Sequence, residues 1–370
     1  MSELEEILKT IKPAVRELRA YSLSPHRASV KINQNENPWD IPENVKAETL
    51  RRLNERRWSR YPEFVATSLQ EMLAEFSSWK TDGVIAGNGS NELIQALLMV
   101  SVEPGKYVLI SEPTFALYRQ VTTVLGGQVI SVPLSTTFEF DVSALLKAIQ
   151  ENKPEVVILC SPNNPTGSSI ADGDLRRLLQ AASGLVVIDE AYHEFAAHSV
   201  VPLLNDFPNL VVLRTFSKAM GLAGMRIGYL LAAPELVTEI RKALLPYNLN
   251  VFSQTVAEVA VEMYESELKP RVKAIITERE RLFAQLNAIQ GLEPVASQAN
   301  FMIVRTTVEP VRLFEELLAR DILVRDVSGY PMLKDYFRFN VGTPQENDQL
   351  INALKEIMCG DLDAVSTTSR

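Results

Sequence analysis

An α/β fold with a mostly parallel sheet is predicted by three features of this 370-residue chain. Short apolar runs recur through its first two thirds. Helical stretches separate most of them. Residues with chemical potential follow several of the runs directly, at strand carboxyl ends, where parallel sheets bind ligands.

The elements follow in order. Residues 3–20 read as a short amphipathic helix broken at Pro13, and a polar, proline-containing connection runs to about Asp40. Seven strand-like runs come next: Val84–Ala86, Tyr107–Ile110, Gln128–Val132, Val156–Leu159, Leu185–Ile188, Leu210–Leu213 and Ile227–Leu231. Between them lie helical stretches at Glu92–Val102, Phe115–Leu125, Val142–Gln150 and Asp172–Ala182. A seven-stranded, mostly parallel sheet covered on both faces is the consequence. After about Val251 the pattern changes. A long charged helix is expected at Lys269–Ile289, a strand near Phe301–Val304 and a helix at Pro310–Arg320. Strands at Leu323–Asp326 and Tyr336–Val341 and a final helix at Pro344–Met358 complete a smaller α+β unit. The expected division is an arm at 1–30, a large domain at 31–255, a small domain at 256–360 and a disordered polar tail at 361–370.

Composition narrows the function. The chain is 46% hydrophobic and 22% charged, ordinary for a soluble enzyme. A net charge of -9 and a pI near 5.2 argue against general nucleic-acid binding. Two cysteines, Cys160 and Cys359, make a disulfide framework unexpected and fit the reducing cytoplasm. The acidic N-terminus has no signal-peptide pattern, and no apolar run is long enough to span a bilayer. No metal site is expected.

The most informative segment is Thr215-Phe216-Ser217-Lys218, followed by Ala-Met-Gly-Leu-Ala-Gly and, eight positions after the lysine, Arg226. A lysine that forms a Schiff base needs a rigid approach, close backbone and a neighbouring charge. Hydroxyls and an arginine beside it can hold a phosphate ester. The combination points to pyridoxal phosphate (PLP). Asp189, ending the run Leu185–Ile188, can then pair with a pyridinium nitrogen, and Tyr192 can bond the ring oxygen. Alone, Asp189 is as simply a strand-end carboxylate capping a turn. Ser161-Pro162-Asn163-Asn164-Pro165-Thr166-Gly167 fixes an unusual loop after another strand, and an asparagine there can donate to the ring oxygen. Ala86-Gly87-Asn88-Gly89-Ser90-Asn91 is a glycine-bearing strand-to-helix turn. It can cradle a phosphate, although a tight turn with a serine cap explains it almost as well. Arg325 and Arg338 sit on strands of the smaller unit, where an arginine is costly unless paired or facing a ligand.

Taken together, these segments resemble the PLP-dependent aminotransferases of fold type I, from about Lys31 to Met358. The order Gly-Ser-Asn, Pro-Asn-Asn-Pro-Thr-Gly, Asp-Glu-Ala-Tyr, Ser-Lys and a following Arg is highly specific. Three segments resemble the histidinol-phosphate aminotransferases in particular: Asn35-Glu36-Asn37-Pro38, Arg60-Tyr61-Pro62-Glu63, and the stretch from Val324-Arg325-Asp326 to Pro344. The resemblance implies that Lys218 binds the cofactor covalently and moves the proton, while Asp189 pairs with the ring nitrogen. It places Asn164 and Tyr192 on the ring oxygen, and Gly89, Ser90, Asn91, Thr215, Ser217 and Arg226 on the phosphate. Phe115 matches the residue that stacks on the ring. Tyr61 matches one that reaches the neighbouring subunit's cofactor, which implies a homodimer. Tyr21, Asn35, Arg325 and Arg338 match substrate-binding positions, with Tyr21 the loosest match.

The implied reaction moves an amino group between L-histidinol phosphate and 2-oxoglutarate, within histidine biosynthesis. An aromatic amino-acid aminotransferase and a threonine-phosphate decarboxylase on the same scaffold are rivals, because specificity rests on few loop contacts. A non-catalytic PLP-binding protein is a further alternative. It is disfavoured because every catalytic position is filled.

Overall fold

The structure is a computed structural model describing residues 3–18, 26–196 and 198–368. Two short helices, α1 (Glu3–Leu8) and α2 (Pro13–Glu17), come first. Pro13 opens the second, where its missing N–H has no intrahelical partner to lose. Strand β1 (Val30–Lys31) and helices α3 (Glu43–Glu55) and α4 (Thr67–Ser77) follow. Neither helix was expected from the sequence.

The main sheet then forms from β2 (Val84–Gly87), α5 (Ser90–Ser101), β3 (Tyr107–Glu112), α6 (Leu117–Leu125), β4 (Gln128–Pro133), α7 (Val142–Asn152), β5 (Val156–Cys160), α8 (Asp172–Ala181), β6 (Leu185–Asp189), β7 (Leu210–Thr215) and β8 (Gly228–Ala232). All seven expected strands are present, in the order β2-β8-β7-β6-β5-β3-β4. Every neighbouring pair is parallel except the two that involve β8. Alternate residues enter different apolar clusters on the two faces. Val157 and Leu159 join one, while Val156, Ile158 and Cys160 join the other. This two-sided burial explains why the runs are continuously apolar rather than alternating.

Helices α9 (Pro234–Arg241), α10 (Val251–Glu262) and α11 (Lys269–Asn287) lead to a second sheet. The remaining elements are β9 (Leu292–Pro294), β10 (Phe301–Thr306), α12 (Pro310–Ala319), β11 (Ile322–Leu323), β12 (Arg325–Asp326), β13 (Tyr336–Asn340) and α13 (Pro344–Thr368). Four of the strands form an antiparallel sheet, β12-β13-β10-β9. Its core includes Phe301, Phe337, Phe339 and Leu354, and also Val30 and Ile32 from the chain's beginning.

Two expectations need correction. The strand foreseen at Leu323–Asp326 is two strands in different sheets. Ile322 and Leu323 pair with Val30 and Lys31, whereas Arg325 and Asp326 pair with Arg338 and Phe337. Buried Val324 lies between them, where the chain passes from one sheet to the other. The last helix, expected to end at Met358, is longer: it spans Pro344–Thr368, and no proline interrupts it.

Candidate active site

The carboxyl ends of β5, β6 and β7 lie side by side, because Cys160 pairs with Asp189 and Asp189 with Leu213. The loop from β7 to β8 returns to the same edge, where Thr215 and Gly87 both pair with Gly228. Sheet order therefore gathers Asn164, Asp189, Tyr192, Lys218 and the Gly89–Ser90 turn at one end.

Asp189 is buried at 3% exposure. Its Oδ2 accepts from the Tyr118 hydroxyl at 2.6 Å and its Oδ1 from the Ala191 amide at 3.0 Å. Burial raises its pKa, against these two donors and the nearby positive Lys218. Lys218 Nζ donates to the Gln34 carbonyl at 3.0 Å. Burial, then Arg338, push its amine down to about 8. Tyr192 OH accepts from Asn35 Nδ2 at 3.0 Å and from Asn164 Nδ2 at 3.3 Å. Two donors onto one hydroxyl leave its own proton to give away.

The Asn33–Asn37 loop braces the opposite wall. Besides the Gln34 bond to Lys218, the Asn33 carbonyl accepts from Arg338 Nη2 at 3.0 Å, and the Asn35 amide donates to Asn340 Oδ1 at 3.0 Å. Asn35 has φ +55°, a left-handed conformation that asparagine tolerates. Among the described residues, the buried side-chain oxygens of Asn33 and Asn35 meet no hydrogen-bond donor. Buried acceptors of this kind are costly unless a ligand supplies a donor.

The turn after β2 forms a cradle. Gly89 has φ +83°, and a Cβ there would lie 2.6 Å from Arg226 Nη2. A side chain there would displace the guanidinium and strain a backbone conformation that glycine alone adopts readily. Gly89 caps α5 without a side chain, so the first amides of the helix keep no internal acceptor. Arg226 Nη1 reaches Ser217 Oγ at 3.3 Å, and Thr215 Oγ1 donates to Ser217 Oγ at 3.1 Å. Arg226 itself has φ +53°, a strained backbone of the kind found at ligand clamps. Uncapped amides, hydroxyls and one guanidinium make a donor set suited to a phosphate dianion. With Lys218, Asp189 and Tyr192 beside it, the residues present fit PLP.

Other expected residues are less central. Phe115 is half buried and packs edge-on against Tyr118 at 5.7 Å. The Asn91 side chain points to solvent, so only its backbone can serve the cradle. Tyr61 is 80% exposed and stacks on Tyr247, with no contact to the site of its own chain among the described residues. Tyr21 lies outside the described residues.

Arg338 is buried, donates through Nη1 to Asn164 Oδ1 at 2.6 Å, and lies over the Phe301 ring at 5.3 Å. Arg325 stands directly opposite it in register. Antiparallel partners share a face, and like charges placed so repel. Arg325 also borders a cavity of about 430 Å³ with His26, Asn33, Phe314 and Asp326.

Sequence reading missed three residues here. Tyr118 bonds Asp189. Asn163 ties the loop after β5 to the one after β3, donating to the Pro113 carbonyl at 2.9 Å and accepting from Thr114 at 2.9 Å. Asn300 holds the Asn35 carbonyl at 3.2 Å. A second asparagine in Pro-Asn-Asn-Pro was the one available signal, and it did not say which faced inward.

This fold and this lysine-centred site define a PLP-dependent enzyme. The chain belongs to the aminotransferase class I and II family, which it matches over residues 28–354. It is 39% identical to a histidinol-phosphate aminotransferase of Chlorobium phaeovibrioides, over 96% of this chain and 99% of that one. It is 38% identical to one of Chlorobaculum tepidum, over 94% of this chain and all of that one. Its structure matches that of a histidinol-phosphate aminotransferase of Sinorhizobium meliloti in complex with pyridoxal-5'-phosphate. The TM-score is 0.85 at 25% identity, covering 94% of this chain and 97% of that one.

Proposed function

We propose that this protein is a histidinol-phosphate aminotransferase of histidine biosynthesis, exchanging the amino group between L-histidinol phosphate and 2-oxoglutarate. The observation that carries the donor assignment is the cross-strand pair Arg325–Arg338. Two arginines directly opposed on one face can share an anion placed between them. A phosphate answers in one half-reaction and a carboxylate in the other.

PLP, when bound, supplies an electron sink for the carbon that exchanges its amino group. The protein's own residues do the rest. Lys218 holds the cofactor. Its amine, with a pKa lowered to about 8, would be the base that takes the proton from the substrate carbon and delivers it to the carbon on the cofactor side of the transferred nitrogen. Asp189 would serve the ring nitrogen, Tyr192 and Asn164 the ring oxygen, and Phe115 the ring face. Gly89, Ser90, Asn91, Thr215, Ser217 and Arg226 would hold the phosphate. Asn35, Arg325, Arg338 and Tyr21 would bind substrate.

We read the working form as a homodimer. Trp58, Tyr61, Phe64 and Leu245 are 62%, 80%, 62% and 75% exposed, and Tyr247 and Phe252 join them through ring contacts. Exposed apolar clusters of this kind support an interface, and Tyr61 would cross it to the partner's cofactor. The division at 31–255 and 256–360 and a cytoplasmic location belong to the same reading. Among the described residues no helix is long and apolar enough to cross a membrane.

The test is a half-reaction. PLP-loaded protein is mixed with L-histidinol phosphate without keto acid, and the visible cofactor band is followed. Fast bleaching, far ahead of that with phenylalanine, is expected. A persistent band would leave the family intact and remove the donor assignment. Carbon dioxide release from threonine phosphate would replace it with decarboxylation.

A further inference from the structure

Asp189 is fully enclosed, and each of its oxygens has a single close donor. The Ala191 amide belongs to the same turn and cannot be lost by side-chain substitution. The other donor, Tyr118, comes from α6 and is itself completely buried at 0% exposure. A tyrosine so deep in an apolar cluster needs a partner for its hydroxyl. This one meets a carboxylate at 2.6 Å, the length of a charge-assisted bond.

We infer that Tyr118 is a positioning residue for Asp189: its hydroxyl fixes the plane of the carboxylate and sustains its charge where the cofactor's ring nitrogen will lie. The inference rests on the cofactor reading for its purpose, but the Tyr118–Asp189 contact exists without the cofactor. The groups facing the carboxylate are few. Cys160 stands beside it on β5, Glu190 and Tyr192 follow it in its own loop, and Lys218 approaches from β7. Burial and Glu190 both work against ionisation, and Cys160 is itself pushed to the neutral thiol by burial. Of the main influences on it, the Tyr118 hydroxyl and Lys218 are the side chains that act in favour of the charge. The carboxylate oxygens can still rotate about the Cβ–Cγ bond when only the Ala191 amide holds them. A second donor from an independent helix removes that freedom. Phe115, three residues earlier, leads into the same helix and packs on the Tyr118 ring, so ring-stacking and aspartate-orienting groups move as one piece.

The test uses Tyr118→Phe, which removes one oxygen and leaves the packing volume nearly unchanged. In apo protein, thermal stability of wild type and Y118F is compared from about pH 5 to about pH 9. A raised carboxyl pKa in the fold penalises stability above that pKa, and the penalty fades as the group protonates on acidification. Losing the hydroxyl enlarges the penalty. Y118F should therefore fall behind wild type at high pH and recover towards it at low pH. On an Asp189→Asn background, which carries no charge to sustain, Tyr118→Phe should show no such pH dependence. With PLP present, Y118F should bind about tenfold more weakly, the usual scale for a lost hydrogen bond to a charged group. A stability gap that stays constant across pH, or persists in the Asp189→Asn background, would reduce Tyr118 to packing and overturn the inference. Failure of wild type to bind PLP would instead sink the cofactor reading, and the apo comparison would still decide the role of Tyr118.

Discussion

The Lys218 amine gives the sharpest quantitative expectation. Burial, assisted by Arg338, lowers its pKa from 10.5 to about 8. That difference raises the neutral fraction at pH 7 by about 300-fold, at tenfold per unit. The perturbation is pH, applied to apo protein as brief pulses of reductive methylation from about pH 6 to about pH 10. Peptide mass spectrometry then reports each lysine. Lys218 should react with a midpoint near 8, well ahead of the exposed lysines. Replacing the charge with Arg338→Gln should move that midpoint upward, because Arg338 is the largest electrostatic cause of the shift. The same depression has a stability consequence with a definite sign. Below about 8 the buried ammonium counts against the fold, and this penalty fades as pH rises from about 8 towards 10.5. Its ceiling is about 3 kcal/mol, and solvent screening of the half-buried side chain lowers it towards about 1 kcal/mol. Apo Lys218→Met should accordingly gain most over wild type below pH 8. A wild-type midpoint indistinguishable from ordinary lysine, or a downward move in Arg338→Gln, would refute the electrostatic account.

Other expectations follow from the same geometry. Arg338→Ala should slow both half-reactions by about a hundredfold, the scale of one lost charge-assisted anion contact; a loss confined to histidinol phosphate or to 2-oxoglutarate in single-turnover kinetics would defeat the shared-anion idea. Gly89→Ala places a methyl against Arg226 and forces a left-handed residue, so PLP affinity should drop by about 1–3 kcal/mol in fluorescence titration while the fold persists. Tyr61→Ala should weaken PLP retention in the dimer, and a Leu245→Asp change should shift sedimentation towards monomer; unchanged retention and mass would remove the interface from the exposed aromatic surface.

Much of this protein is legible residue by residue. Apolar-rich runs of three to five residues announced all seven strands of the main sheet, most of them continuous because burial on both faces leaves no room for polar alternation; the edge strand β4, which carries Gln128 and Ser131 and is only partly buried, is the exception. The strings around Lys218, Asp189 and Asn164 were visible because each follows one of those runs directly. Helices α3 and α4 were missed: α3 is strongly polar and only a narrow stripe, Val45, Thr49 and Leu53, is buried. The division of residues 322–326 between two sheets was equally hidden, since nothing local marks a switch made by partners almost 300 positions away.

What the sequence alone determined, then, was local: strand and helix periodicity, the turns that expose loop residues at strand ends, and the residue types required for a lysine-based cofactor site. What only the tertiary structure decided was convergence. Lys218 meets the Gln34 carbonyl across 184 positions, Arg338 meets Asn33 across 305, and Tyr118 reaches Asp189 across 71. Such contacts have no periodic signature. They exist because burying the apolar faces of both sheets fixes the backbone first, and the polar groups enclosed in that frame must then satisfy one another or await a ligand.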